Sequence, residues 1–272
     1  MTAERVSVTA AQSTSLATLY GRALDACQRD PILGDPTAEG AVRRINYDFG
    51  KFRMGLDQAL AVALRAKTFD DWACEFLADH PGATVLHLGC GLDGRVYRLA
   101  PPPAVRWFDV DYPDVIALRE QVYPERESYR MIGSSVTDLG WLDEVPRDQP
   151  TLVVAEGLTM YLHRNEGEAL LRTLVDTFRE GEMMFDVYST AGIRLQRLNP
   201  VLRRAEATLH WGIDDARDLE KFGLTLLARR TAADFISPET RSRMSLGMRL
   251  QLYLLDLLPP LRNMGQLLRY RF

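Results

Sequence analysis

The sequence predicts an α/β chain built on a doubly wound, largely parallel sheet, and three observations carry that prediction. The first is Thr84-Val85-Leu86-His87-Leu88-Gly89-Cys90-Gly91-Leu92-Asp93-Gly94. This apolar, β-rich run breaks into closely spaced glycines, as a parallel strand does where it ends against a nucleotide-sized ligand. The second is a run of the same kind about twenty residues on, Val105-Arg106-Trp107-Phe108-Asp109-Val110-Asp111, which closes on acids. The third is the alternation of short strand patterns with helical ones that follows.

Leu16, Leu19, Tyr20, Ala23, Leu24 and Cys27 recur at helical spacing across 14–27, and Pro31 and Pro36 bracket a turn. Leu60, Ala61, Leu64, Trp72, Phe76 and Leu77 mark a second helix over about 58–77, stopped by His80-Pro81-Gly82. Strands are expected at 84–88, 106–110, 129–133, 151–155, 183–187 and 224–228, with helices at 112–122 and 166–179. An apolar helix over 248–258 ends at Pro259-Pro260, and the alternating 268–272 reads as a last edge strand. The expected organisation is a helical cover and substrate lid over 1–80, then a Rossmann-like core over 81–272 with a substrate-region insertion around 188–222.

Bulk properties narrow the function. The 272 residues are 46% hydrophobic and 26% charged, as in ordinary soluble globular proteins. A net charge of −4 with dispersed basic residues leaves no electrostatic footprint for nucleic acid. The first 17 residues are polar, and no run has membrane-spanning length, so no signal peptide or membrane partner is expected. Cys27, Cys74 and Cys90 lack paired spacing, which argues against a zinc site or disulfide framework and for a cytoplasmic setting.

The glycine segment satisfies G-x-G-x-x-G, and Asp109 or Asp111 stands where a ribose-binding acid belongs, so a nicotinamide dinucleotide is permitted. Three features oppose it. The first strand arrives only after a long helical region; Asp93 would repel a pyrophosphate at the helix N-terminus; and no second phosphate loop follows. S-adenosylmethionine carries no phosphate, so Asp93 is tolerated there and would suit a sulfonium or ammonium. After the fourth strand comes Glu156, a carboxylate placed to meet a cationic ligand, or else a helix N-cap acid.

Gly89 to Leu99, Asp109-Val110-Asp111-Tyr112-Pro113 and Ala155-Glu156-Gly157-Leu158-Thr159-Met160-Tyr161-Leu162, in that order, resemble the leucine carboxyl methyltransferase family. The likeness is greater to its bacterial branch of tetracenomycin-type polyketide O-methyltransferases, and Trp211-Gly212-Ile213-Asp214-Asp215 also fits. The resemblance implies a class I S-adenosylmethionine-dependent methyltransferase fold and O-methylation of the carboxylate or hydroxyl of a small, polyketide-like metabolite. It implies that Arg65 grips the methionine carboxylate, Gly89, Cys90 and Gly91 line the methionine part, and Asp111 with Tyr112 meets the ribose. Ser135, Val136 and Asp138 then fall at the adenine, although the commoner Asp-Leu pairing is replaced, and Glu156 with Gly157 falls at the ammonium.

The acceptor side is less legible. Tyr161, Tyr188 and Trp211 are candidates to flank a flat substrate, and Arg194 or Arg197 to meet its carboxylate. No convincing general base stands out; Tyr188, His163 and His210 are the candidates, while His87 reads as a strand residue and His80 as a helix terminator. A carboxylate acceptor needs no base, so its absence favours an acidic acceptor. Methylation of a protein C-terminus, a non-catalytic S-adenosylmethionine binder and a dehydrogenase are the competing readings.

Overall fold

The computed structural model describes residues 10–196, 208–257 and 263–272. Its centre is a seven-stranded sheet of β1 (Thr84–Leu88), β2 (Arg106–Asp111), β3 (Tyr129–Gly133), β4 (Thr151–Ala155), β5 (Gly181–Tyr188), β6 (Thr225–Thr231) and β7 (Gly265–Arg271), in the order β3-β2-β1-β4-β5-β7-β6. The first five strands pair in parallel. β1 and β4 are buried at every position, as their unbroken apolar runs require of strands covered on both faces.

The chain's last stretch corrects one expectation. β7 is an interior strand, antiparallel to both β5 and β6, and β6 forms the edge. The reason is that Gln266, Leu267, Leu268 and Tyr270 are all buried, so both faces of β7 are covered. Tyr270 stacks on Phe185 with ring centroids 5.5 Å apart, and its hydroxyl donates to the Ala216 carbonyl at 2.7 Å. β6 alternates exposed and half-buried residues for most of its length, the pattern of an edge.

Helices α1 (Ala10–Ala26), α2 (Ala38–Arg44) and α3 (Leu56–Asp79) precede the sheet, α4 (Arg95–Leu99) and α5 (Pro113–Val122) flank β2, and α6 (Arg164–Thr177) precedes β5. α3 packs Phe69, Trp72 and Phe76 onto Val85, Trp107, Leu152 and Val154 of the sheet. Although it lies within the stretch expected to be cover, it is a full layer of the core. α6 covers the opposite face, setting Leu170, Leu171 and Leu174 against Leu86, Val153 and Phe185. α1 and α2 bury Leu16, Leu19, Ala38 and Ala41 against Leu92 and against Leu118 and Val122 of α5.

Between β1 and β4 the strand order reverses direction. At such a switch point the loops leaving adjacent strands part and open a crevice beyond the strands' carboxyl ends. Gly89, Asp111 and Glu156 sit at those ends of β1, β2 and β4.

Candidate active site

The loop after β1 is built around glycines in the left-handed region, with φ of 60° at Gly89 and 50° at Gly91. What their missing side chains admit is protein. A Cβ at Gly89 would lie 3.0 Å from Leu158 Cδ1, and one at Gly91 would lie 2.7 Å from Ser15 Oγ of α1. The loop carbonyls are held by buried donors: Arg119 Nη1 donates to Gly91 O (2.8 Å) and Asp93 O (2.9 Å), while Arg22 Nη2 and Tyr123 Oη donate to Leu92 O at 3.0 and 2.8 Å. The Gly91 N–H donates to Asp111 Oδ2 at 2.7 Å and the Tyr112 N–H to Asp111 Oδ1 at 2.8 Å. Each carboxylate oxygen keeps a lone pair for a further donor such as a hydroxyl. Burial pushes the Asp111 carboxyl up, opposed by those two N–H groups. Beside it, Tyr112 is 49% exposed at the start of α5. Cys90 is buried and its thiol is pushed well up by that burial, so what it offers a ligand is backbone.

Asp93 does not face a ligand. It is buried in an ion-pair network with Arg22, Arg95 and Arg98, at 3.9, 3.4 and 3.1 Å, which corrects the sulfonium or ammonium reading. Burial raises its carboxyl, but the three guanidiniums outweigh that and hold it well below the ordinary range. The network continues through Asp70, paired with Arg95 at 2.7 Å and Arg98 at 2.6 Å, and through Asp35, paired with Arg98 at 2.7 Å. At its other end Arg95 reaches Glu156, whose second oxygen accepts from Arg65 Nε at 2.8 Å. Arg65 Nη1 donates to Asp186 Oδ2 at 3.0 Å, and Asp186 Oδ1 accepts the Gly157 N–H at 2.6 Å. Among the described residues this network joins four guanidiniums, Arg22, Arg65, Arg95 and Arg98, to five carboxylates, Asp35, Asp70, Asp93, Glu156 and Asp186.

A second buried cluster, which touches the network through His87 and Arg95, lies beneath the loop. Asp109 accepts from Trp107 Nε1 (2.8 Å), Tyr129 Oη (2.6 Å) and His87 Nδ1 (3.1 Å), and pairs with Arg119. The tautomer that donates Nδ1–H to Asp109 and accepts at Nε2 from Arg95 (3.4 Å) satisfies both His87 contacts.

Ser135 and Val136 follow β3, with Ser135 Oγ 2.8 Å from Thr137 Oγ1 and Val136 buried; Asp138 is exposed and its side chain faces the Gly140 N–H at 3.5 Å. Beyond β4 and β5, Tyr161 and Tyr188 converge with Met160, Ile193 and Leu209 in one apolar cluster. Burial pushes both phenols up, that of Tyr161 to about 12, so at neutral pH they are donors and not bases. His163 and His210 are exposed and lie against each other with ring centroids 4.2 Å apart and planes tilted by 35°. Trp211 is 5% exposed and its ring fills the space over Gly167 of α6, where a Cβ would lie 2.0 Å from Cζ3. The structure places it in the core. Arg194 is exposed at the end of α7 (Thr190–Arg194), and Arg197 lies outside the described residues.

A sequence profile described as leucine carboxyl methyltransferase matches residues 15–130. The chain is 50% identical over 217 residues to the tetracenomycin polyketide synthesis O-methyltransferase TcmP of Streptomyces glaucescens, covering 80% of each chain. It belongs to the leucine carboxyl methyltransferase family. A second relative, the S-adenosyl-L-methionine-dependent methyltransferase dpfgK of Gibberella zeae, is 38% identical over 239 residues, covering 79% of this chain and 80% of that one. In fold, magnesium protoporphyrin IX methyltransferase from Synechocystis, solved with S-adenosylhomocysteine, superposes with a TM-score of 0.52 at 14% identity over 87% of this chain and 95% of that one. The architecture is that of a class I methyltransferase, and the family assigns the chain S-adenosylmethionine as methyl donor.

The donor fits the residues present in this family member. Among the described residues Arg65 Nη2 has no hydrogen-bond partner, and it lies against bare backbone at Gly157, where a Cβ would be 3.6 Å away. A guanidinium fixed through its other nitrogens, with one edge free, suits a ligand carboxylate. Among the described residues no group of three or more His, Cys, Asp or Glu is arranged to hold an ion. Sequence reasoning missed Asp186 and Arg95. Asp186 had a signal: it is a lone acid in the otherwise apolar end of β5, Met183-Met184-Phe185-Asp186-Val187. Arg95 had none, since an arginine opening a short helix after a glycine loop usually points to solvent.

Proposed function

We propose that this chain transfers the methyl group of S-adenosylmethionine to an anionic oxygen, a carboxylate or an acidic hydroxyl, of a small polyketide-like acceptor. The observation that carries the reading is the clasp at the switch point: Arg65, oriented by Glu156 and Asp186, stands across the β1–β4 crevice from Asp111. Support for the acceptor class comes from the 50% identity to TcmP over most of both chains.

When bound, the donor supplies a methyl carbon already activated by its sulfonium. The work left to the protein is alignment and exclusion of water, and well-oriented reactants recover roughly 7–11 kcal/mol of barrier. Arg65 would take the methionine carboxylate, Glu156 and the Gly157 region the ammonium, and Asp111 the ribose hydroxyls. Ser135, Val136 and Asp138 would border the adenine, and Tyr112 the ribose beside Asp111. Tyr161 and Tyr188 would wall the acceptor side and donate to it through phenols that stay protonated. An acceptor that is ionised in water makes no call on a base, which agrees with a site whose nearby phenols and carboxylates are committed. α1, which already seats Ser15 on Gly91, would close the crevice.

Incubation with isotopically labelled donor and an aromatic polyketide acid tests this directly. The expected product releases labelled methanol in mild alkali if a carboxylate is methylated, or carries a base-stable ether if an acidic phenol is. Binding of nicotinamide dinucleotide without binding of S-adenosylhomocysteine would reject the reading.

A further inference from the structure

The ion network that ends at the clasp is not balanced. Its four guanidiniums face five carboxylates among the described residues, and all but Arg65 have side chains no more than about a tenth exposed. The imbalance has a location. Asp70 meets two guanidiniums and Asp93 three, Asp35 lies between Arg22 and Arg98, and Glu156 is held by both Arg65 and Arg95. Asp186 meets only Arg65, which it shares with Glu156. Burial accordingly raises the Asp186 carboxyl in spite of Arg65 and the Gly157 N–H, whereas Glu156 is held below its ordinary range.

Resting on the donor assignment above, we infer that Asp186 is a positioning and specificity residue whose uncompensated charge makes the site prefer the cationic donor to the neutral product. The chemistry supplies the contrast. S-adenosylmethionine carries a sulfonium, an ammonium and a carboxylate, and is a net cation. Transfer breaks the S–CH3 bond, the electron pair stays on sulfur, and the acceptor oxygen takes the methyl. The remaining S-adenosylhomocysteine has no net charge. A buried site holding one surplus negative charge is neutralised by the first ligand and left charged by the second. In a low-dielectric crevice such a difference is poorly screened. Through Arg65 and the Gly157 N–H, the same side chain also fixes the groups that grip both ligands alike, so its two roles separate experimentally.

The test uses calorimetric titration of the full chain with two probes, S-adenosylhomocysteine and sinefungin, the analogue in which an amine-bearing carbon replaces the sulfonium and restores the net positive charge. In Asp186→Asn, sinefungin affinity should fall about tenfold further than S-adenosylhomocysteine affinity, a contrast on the scale of one lost charge interaction. Asp186→Glu should keep most of the wild-type ratio. Equal losses for the two probes in Asp186→Asn would overturn the inference while leaving the donor assignment standing. Failure of the unaltered chain to bind either probe would overturn both. Should Asp186→Asn not fold, Asp186→Ser, whose hydroxyl can still accept the Gly157 N–H, carries the same comparison.

Discussion

Replacing Arg119 with methionine removes the cation beneath the glycine loop while keeping most of the side chain's apolar volume. Arg119 is fully buried and joins two structures, the Asp109 cluster below and the carbonyls of Gly91 and Asp93 above. Without it, Asp109 keeps donors from Trp107, Tyr129 and His87 but loses its charge partner. Stripping one member from a buried ion pair costs about 3–5 kcal/mol, and stranding the loop carbonyls adds about 1 kcal/mol. At about 2–4 °C per kcal/mol for a chain of this size, the thermal midpoint should fall by roughly 8–24 °C. Differential scanning calorimetry measures it. The companion Asp109→Asn separates charge from packing: if the charge argument holds, the double variant loses clearly less than the two single variants together. A fall below about 3 °C in Arg119→Met, or strict additivity in the cycle, would refute the reasoning.

Three further outcomes are expected. Gly167→Ala drives a Cβ to 2.0 Å from the Trp211 ring, and such overpacking should cost about 1–3 kcal/mol in urea unfolding; a neutral effect would mean that Trp211 moves freely and is not a core residue. Gly91→Ala combines a φ of 50° with a clash against Ser15, so S-adenosylhomocysteine affinity should drop, and Ser15→Gly in the same chain should recover only the clash. The pH profile of stability follows from two opposed sets of carboxyls. In Asp93, Asp109 and Glu156 burial is outweighed by guanidiniums and the folded value is depressed, so their contribution is complete above the unfolded value of about 4 and lost as pH falls through the folded values. In Asp111 and Asp186 burial wins, and their ionisation costs stability that returns as pH falls toward about 4. The midpoint should therefore hold or rise from neutral pH to about 5 and collapse below about 4, and a steady decline from neutral to pH 5 in scanning fluorimetry would contradict it.

β1, β2, β4 and β5 were legible because a parallel strand buried on both faces is a mostly apolar run with little else it can be. β7 was not placed correctly, since Leu267-Leu268-Arg269-Tyr270 carries a basic residue that suggests an edge, whereas Arg269 is held by Glu182 and Glu75. The positions of Asp111 and Glu156 at strand ends were readable from strand boundaries alone. Pairing was not. That Asp93 turns into a cage of arginines, or that Arg65 is steered by Asp186 from a strand 121 residues away, depends on tertiary contacts that no local pattern encodes. The packing of Trp211 was hidden for the same reason, because the groove over Gly167 that holds its ring is made by a distant helix.

The placement of β7 bears on how the molecule assembles. Among the described residues β6 pairs only with β7, and β5 presents an open flank until β7 docks. On a ribosome the sheet can therefore grow only as far as β5 before the closing strand emerges, and β6 must wait, already synthesised, for a partner that comes later in the chain. A truncation before Gly265 would remove one strand by sequence and strand a second, leaving the β5 flank exposed as a template for pairing between molecules.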